Sequence, residues 1–263
     1  MKFLICGLFL FYCSSKPVVP KDKVVLIALD GIKEEHITSI STIDLPKGYI
    51  NKFYGQKDNC KPSQKYNVSL PAYYTLFTGL NNSKVTSNRF IKDSYDPTLF
   101  DIYKDSIGFS SWYPLKYISS SKKEKANFVL SKTDLNIDTD NQVFKDFKKY
   151  YGNQKLAFIH FTDADNTAHN GNRVKYLSTT VDEIKYTEAI INWSVYEHPN
   201  DNFTFIVFSD HSRGNGYLWK YHGSRIPGSG KIWVFIVSQG PKRLSNCTHI
   251  GINIFVREIL SYP

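Results

Sequence analysis

Apolar residues along this chain fall into short continuous runs separated by longer mixed segments. The first run is Lys23 to Asp30 (KVVLIALD), rich in β-branched residues and closed by a carboxylate. Leu156 to Thr162 (LAFIHFT), Phe203 to Ser209 (FTFIVFS) and Ile232 to Val237 (IWVFIV) share its character, and a weaker run lies near Ile107 to Trp112. A run without polar alternation suits a strand covered on both faces, as in a parallel sheet. Between the runs the period changes. Val174, Leu177, Val181, Ile184, Ile191 and Val195 recur at three- and four-residue steps, which predicts a helix over Arg173 to Glu197 with that stripe against the core. Shorter helices are predicted over Asp140 to Tyr150 and Asn253 to Leu260. Strands alternating with helices predict an α/β three-layer sandwich around a mostly parallel central sheet. No internal repeat and no Pro-, Gly- or Ser-rich linker interrupts the pattern, so residues 21–263 read as one domain.

The first fifteen residues stand apart. Lys2, an apolar run from Phe3 to Tyr12 and then Cys13-Ser14-Ser15 read as an export signal over residues 1–15. The run is too short to span a bilayer as a helix. Cys13 is a candidate for the lipid-modified cysteine of a bacterial lipoprotein, although Tyr12 stands where a small residue is usual; simple secretion is the alternative. Either route places the mature chain in the periplasm or at the cell surface, where a lipid anchor would be its one link to a membrane. With Cys6 and Cys13 set aside, Cys60 and Cys247 remain of the four cysteines. A leftover pair in an exported chain suggests one disulfide, with two buried free thiols as the alternative.

Composition narrows the partners. The 263 residues carry 33 Lys and Arg against 24 Asp and Glu, a net charge of +9. That balance favours anionic partners. The basic residues are scattered, with the densest cluster at Lys122, Lys123 and Lys125, and no nucleic-acid-binding motif accompanies them. Specific nucleic-acid binding is therefore not expected, while small phosphorylated compounds such as nucleotides, phosphodiesters or lipid head groups are compatible with the charge.

Candidate chemistry sits where the apolar runs end. Asp30 closes the first run, Thr162-Asp163-Ala164-Asp165-Asn166-Thr167-Ala168-His169 follows the second, and Asp210-His211 follows the third, with His222 close behind. Carboxylates and imidazoles together suit zinc and related divalent ions. An isolated Asp after a strand is usually a cap, and His160, His198 and His249 are assigned no role. The recurrence of Asp and His at successive strand ends is what points to a site, because open α/β sheets bind ligands there.

These segments, read with Ser69 to Leu80 (SLPAYYTLFTGL), resemble the alkaline phosphatase superfamily, and most closely its nucleotide pyrophosphatase/phosphodiesterase-like branch. Val24 to Gly31 (VVLIALDG) is similar to the first metal-binding strand, Ser69 to Leu80 to the nucleophile helix, Phe161 to His169 (FTDADNTAH) to the Asp-x-x-x-His segment, Phe208 to Gly214 (FSDHSRG) to the Asp-His pair, and His222-Gly223 to the last histidine. The resemblance covers nearly the whole mature chain, in order. It implies an alkaline-phosphatase-like fold and two divalent ions, with zinc favoured by the His-rich set. Asp30, Asp210 and His211 would hold one ion with Ser69 bridging toward it. Asp165, His169 and His222 would hold the other, with Asp163 as second choice for Asp165.

The implied activity is cleavage of phosphodiester or pyrophosphate bonds, with Ser69 as the metal-activated nucleophile. Without the motifs, Ser69 would be read as an N-cap before Pro71. Asn88 lies where the family often has a phosphate-contacting amide, its plain alternative being a turn residue. Tyr74, Arg213 and Trp219 are weaker substrate-binding candidates. Tyr73 stands where sulfatases of the superfamily carry the Arg of their maturation motif, which argues against a sulfatase. The short interval from His211 to His222 resembles a minimal bacterial form. The alternatives are a phosphomonoesterase, a phospho-group transferase acting on a lipid or envelope glycan, and a surface lipoprotein that keeps the fold only for binding.

Overall fold

The structure is a computed structural model that describes residues 20–81, 84–89, 91, 94, 96–121, 126–132 and 138–261. The export signal, Cys6, Cys13, and the cluster at Lys122, Lys123 and Lys125 lie outside the described residues. The strands are β1 (Asp22–Leu29), β2 (Ile50–Tyr54), β3 (Ser106–Ser110), β4 (Phe128–Leu130), β5 (Leu156–Phe161), β6 (Asn202–Phe208) and β7 (Val234–Ser238). The helices are α1 (Ser69–Thr78), α2 (Leu99–Ile102), α3 (Pro114–Ile118), α4 (Thr139–Tyr150), α5 (Asp163–His169), α6 (Arg173–Glu197) and α7 (His249–Ile259).

All seven strands join one sheet in the order β2-β7-β6-β1-β5-β3-β4. The continuous apolar run of β1 explains its place. It lies between β5 and β6, parallel to both, and its residues face packed layers on either side. Val24, Leu26 and Ala28 pack with Phe158 and Ile206 beneath Tyr73 and Phe77 of α1, Leu115 of α3 and Val256 of α7. Val25, Ile27 and Leu29 pack with Ile159 and Val207 against Val143 and Phe147 of α4 and Ile184 and Ile191 of α6. Each such side chain contributes roughly 1.5–3 kcal/mol on burial. Ala28 pairs with His160 on one side and Phe208 on the other, so β5, β1 and β6 end level with one another. That level edge carries the site.

The three-layer α/β sandwich is the architecture expected from the sequence. Three details differ from it. β7 runs antiparallel to both β6 and β2, a direction that an apolar run does not encode. β2 is half solvated at the sheet edge and β4 is only three residues long, so neither shows as an apolar run. The third difference is in α6. Its limits match the expected helix, but Val174, Leu177 and Val181 are exposed, at 81%, 38% and 46%. The buried face instead carries Thr179, Thr180, Glu183, Thr187 and Ser194 beside Ile184, Ile190 and Ile191. Periodicity placed the helix correctly and misassigned its first three turns, because Glu183 is turned inward to accept from Ala164 N of α5, and Thr180 and Thr187 beside it bond back to carbonyls of α6.

Cys60 and Cys247 form a disulfide, and Lys61 N donates to Cys247 O at 3.1 Å beside it. The link spans 187 residues and ties the segment before α1 to the start of α7. Closing so long a loop restricts the unfolded chain. Replacing both cysteines with Ser is expected to lower stability by roughly 2–5 kcal/mol, read as a fall in the urea midpoint with a steeper slope as the unfolded chain expands.

Candidate metal and phosphoryl site

Three neighbouring strands deliver the site. Asp30 follows β1, Asp165 lies in α5 just beyond β5, and Asp210 and His211 follow β6. Asp30, Asp210 and His211 converge, with their ligand-type atoms all within 4.8 Å of one another. A second convergent group is Asp165, His211 and His222. His211 is common to both, and its ring stacks on that of His222 at 3.9 Å. His169 reaches the edge of the second group, with Nε2 3.2 Å from Asp165 Oδ2 and 3.0 Å from His222 Nε2. Asp163 does not join them. It accepts hydrogen bonds from Thr139 Oγ1 and from Asp140 N at 3.0 Å, and so caps α4.

Ser69 is the first residue of α1, and Val68 occupies the N-cap position. The serine hydroxyl therefore makes no cap bond. It lies 3.4 Å from Asp30 Oδ1 and 3.3 Å from His211 Nε2, almost fully buried at the floor of a cleft. Asn88 Oδ1 accepts from Leu70 N at 2.9 Å, which leaves the Asn88 NH2 group available to the same cleft. The cleft has a volume of about 570 Å³ and is also lined by Trp112, Lys132 and Asn166. Trp112 and Lys132 follow β3 and β4, at the same carboxyl edge of the sheet as the ligands.

Hydrogen bonds to the backbone orient the imidazoles. His211 Nδ1 donates to Ser212 O and His222 Nδ1 to Asn67 O, each at 3.0 Å. Both rings then present an unprotonated Nε2 to the cluster, the form a metal requires. Asn67 reaches this position with φ at 51°, a left-handed conformation that Asn tolerates better than most residues. Gly31 also has positive φ, at 64°, and donates its N–H to Asp210 Oδ1 at 3.1 Å. A Cβ at Gly31 would collide with Asp165 Oδ1, so the residue after Asp30 has no room for a side chain.

The electrostatics show what the cluster lacks. Burial, then the neighbouring Asp210 and Asp165, push the Asp30 carboxyl well above its usual range. Burial, with Asp165 nearby, pushes Asp210 up to about 7. Burial, with His222 beside it, pushes His211 down. Burial also opposes ionisation of Asp165, but the Arg213 guanidinium and the His169 hydrogen bond outweigh it and hold that carboxyl well below its usual range. Asp210 Oδ2 is buried and makes no hydrogen bond of ordinary geometry. An orphaned carboxylate oxygen among crowded acids and neutral imidazoles fits divalent cations, and the mixed O/N donor set fits zinc.

Two residues not assigned a role from sequence hold Asp30 in place. His160, on β5, contacts Asp30 Oδ2 through Nε2 at 2.9 Å, and Ser110 Oγ contacts its Nδ1 at 2.8 Å. Burial lowers its pKa to about 3, so the ring is neutral and Nε2–H donates to the carboxylate. Tyr73 OH donates to the same oxygen at 3.3 Å. An ionisable residue inside a continuous apolar strand was the available signal for His160. α5 has its own support. Asp140 accepts from Thr162 N and Asp163 N, and Glu183 accepts from Ala164 N.

The three weaker substrate candidates make contacts with the protein itself. Tyr74 is fully buried and donates to Asp96 Oδ2 at 2.7 Å. Arg213 is fully buried, paired with Asp165 Oδ1, and bonded to the carbonyls of Asp165 and Lys220. It positions a ligand. Trp219 packs against Tyr176, with ring centroids 5.9 Å apart.

The fold is of the alkaline phosphatase type. Similar solved structures include the zinc complex of the C-terminal periplasmic domain of EcEptC from Escherichia coli, with TM-score 0.61, 11% identity, and coverage of 92% of this chain and 82% of that one. The integral membrane protein lipooligosaccharide phosphoethanolamine transferase A from Neisseria meningitidis gives 0.54, 10%, 92% and 56%, so this chain spans little over half of it. Alkaline phosphatase from the Antarctic bacterium TAB5 gives 0.54, 10%, 93% and 99%. At these identities the likeness establishes the fold. No family model and no curated protein matches the sequence.

Two outcomes are expected. If Asp30, Asp210 and His211 hold a divalent ion, replacing His160 with Ala should weaken its binding by roughly 10–100-fold, measured by competition with a chromogenic chelator. The second concerns pH. Asp210, and Asp140 beneath α5, have folded-state pKa values raised to about 7 by burial. Each group favours the folded state most below its unfolded pKa, and that contribution is lost as pH rises through about 7. Metal-free protein should therefore lose thermal stability from these groups between about pH 4 and 7. Added Zn²⁺ should raise the melting temperature more at pH 8 than at pH 5, because metal and proton compete for Asp210.

Proposed function

We propose that the chain is an exported, divalent-metal-dependent phospho-group transferase acting on a lipid or envelope-glycan head group. The observation that carries the reading is Ser69 Oγ at the helix start, within 3.4 Å of Asp30 and His211, with two convergent ligand groups on the cleft floor. The phosphodiesterase or nucleotide pyrophosphatase reading expected from the motifs uses the same groups. The transferase reading is supported over it by the fold neighbours, one of which is a lipooligosaccharide phosphoethanolamine transferase. No helix among the described residues is long and apolar enough to cross a membrane, and a periplasmic location accords with the EcEptC domain.

Asp30, Asp210 and His211 would hold one metal, and Asp165, His222 and the nearby His169 the other. Bound there, divalent ions would lower the pKa of the serine hydroxyl and offset charge on phosphoryl oxygens. Ser69 Oγ releases its proton to solvent and bonds to phosphorus as the donor's P–O ester bond breaks, and the departing oxygen takes up a proton. An acceptor hydroxyl then displaces Ser69 from phosphorus, giving up its proton as the serine regains one. The Asn88 amide is placed to donate to a non-bridging oxygen, and the backbone N–H groups that open α1 favour an anion beside Ser69.

The test supplies zinc-loaded protein with phosphatidylethanolamine and with nucleotide diesters, each with and without a hydroxyl acceptor. A phospho-adduct on Ser69 and acceptor-dependent product from the lipid donor are expected. Replacing Ser69 with Ala should lower turnover by about a thousandfold or more while metal content stays near that of the parent. Retained turnover in that variant would overturn the mechanism, and faster acceptor-independent cleavage of nucleotide diesters would restore the hydrolase reading.

A further inference from the structure

Helix α6 turns its apolar side the wrong way for a buried helix. Val174, Leu177 and Val181 lie three and four residues apart on one face, and that face is open to solvent. Its opposite face buries threonines and Glu183 against α4 and α5. Three aliphatic residues on one exposed stripe leave an apolar area with nothing over it among the described residues.

Charge gathers beside this stripe. The first turn of α6 contains Arg173 and Lys175 and no acidic residue. Helix N-termini ordinarily favour acids there, so the two cations add to the positive end of the helix instead of offsetting it. The segment from Gly214 to Lys231 packs alongside. Tyr176 of α6 meets its Trp219, and Gly171, just before α6, comes close to Lys220. That segment holds Lys220, Arg225 and Lys231 with no Asp or Glu, and exposes Tyr217 and Tyr221 at 87% and 46%. Three of the nearby acids are paired or buried. Asp182 pairs with Lys185 at 3.2 Å, Glu35 pairs with Lys33 at 2.7 Å, and Glu183 is buried.

The surface adjoins the metal cluster. His222 belongs to the basic segment, and His169 lies two residues before Gly171 and lines the cleft. Both elements leave the carboxyl edge of the sheet, where the cleft opens. Exposed aliphatic and tyrosine side chains flanked by Arg173, Lys175, Lys220 and Arg225 are the composition that binds at a lipid–water interface carrying negative charge.

We infer that this face, formed by the first turns of α6 and the Gly214–Lys231 segment, docks the protein on an anionic phospholipid bilayer beside the mouth of the cleft. Val174, Leu177, Val181 and Tyr217 enter the interfacial layer, and Arg173, Lys175, Lys220 and Arg225 meet the head groups. The purpose of docking rests on the proposed lipid-borne substrate; the binding does not.

The test uses the full chain carrying Cys13→Ser, so that no acyl anchor contributes. Parent and a triple variant (Val174→Ser, Leu177→Ser, Val181→Ser) are sedimented with vesicles of phosphatidylglycerol and phosphatidylethanolamine, and with phosphatidylcholine alone. The bound fraction of the parent should be higher on the anionic vesicles and fall as salt rises. The triple variant should bind the anionic vesicles about tenfold more weakly, with circular dichroism and turnover of a soluble phosphate ester unchanged. Equal binding by parent and variant, or no preference for anionic vesicles, would overturn the proposal. So would a parent dimer that the variant dissolves, which would assign the face to a second copy of the chain. Loss of soluble-ester turnover in Ser69→Ala with vesicle binding intact separates failure of the catalytic reading from failure of this one.

Discussion

Crowded acid at the edge of a parallel sheet is the constraint that organises this molecule. Asp30, Asp165 and Asp210 meet where β1, β5 and β6 end level, within reach of His211 and His222. Buried carboxylates repel one another and lose hydration, so such a cluster is unfavourable unless each oxygen is matched by a donor or a cation. The surrounding residues supply most of the donors. His160 and Tyr73 serve one oxygen of Asp30, Gly31 N serves Asp210, and Arg213 serves Asp165. The unmatched remainder, above all Asp210 Oδ2, is what a divalent ion would complete.

The same constraint explains the unusual polarity of the layer beneath α5. That helix has only seven residues, too short to hold Asp165 and His169 by its own stability. Asp140 and Glu183 bind its first backbone N–H groups, while Asp163 reaches back to the start of α4. The two helices cap each other through buried carboxyls. α6 must then present Glu183 and threonines inward, and Val174, Leu177 and Val181 turn outward. The chain gives up an ordinary apolar contact at α6 in order to fix a ligand helix.

Legibility in the sequence followed from how local each signal was. The central strands were visible because burial on both faces leaves unbroken apolar runs; Asp30, Asp165, Asp210 and His211 stood out because they lie at or just past the ends of those runs, and His222 through the family resemblance. β2 and β4, at the sheet edges, lack that signature. His160 and Tyr73 were passed over because their role depends on strand register and on a helix crossing the sheet, neither of which is written in a local pattern. Arg213 stood next to the Asp-His pair and suggested a substrate contact. Its burial against Asp165 makes it a brace.

Position along the sheet edge also divides the labour within the cleft. The central strands β1, β5 and β6 lead into the clustered Asp and His groups, of which Asp30, Asp210 and His211 are buried. The outer strands β3 and β4 lead into Trp112 and Lys132, which line the cleft without joining the ligand groups. Lys132, exposed beyond the three-residue edge strand β4, is less constrained by packing than the buried network, whereas Trp112 follows β3, which has a strand on either side, and packs against the core. A substrate's phosphorus would therefore be fixed by the rigid centre, and the group attached to it read by the looser side. On the proposed mechanism, chemistry and selectivity would rest on different parts of one sheet, so the second could change without disturbing the buried charges on which the first would depend.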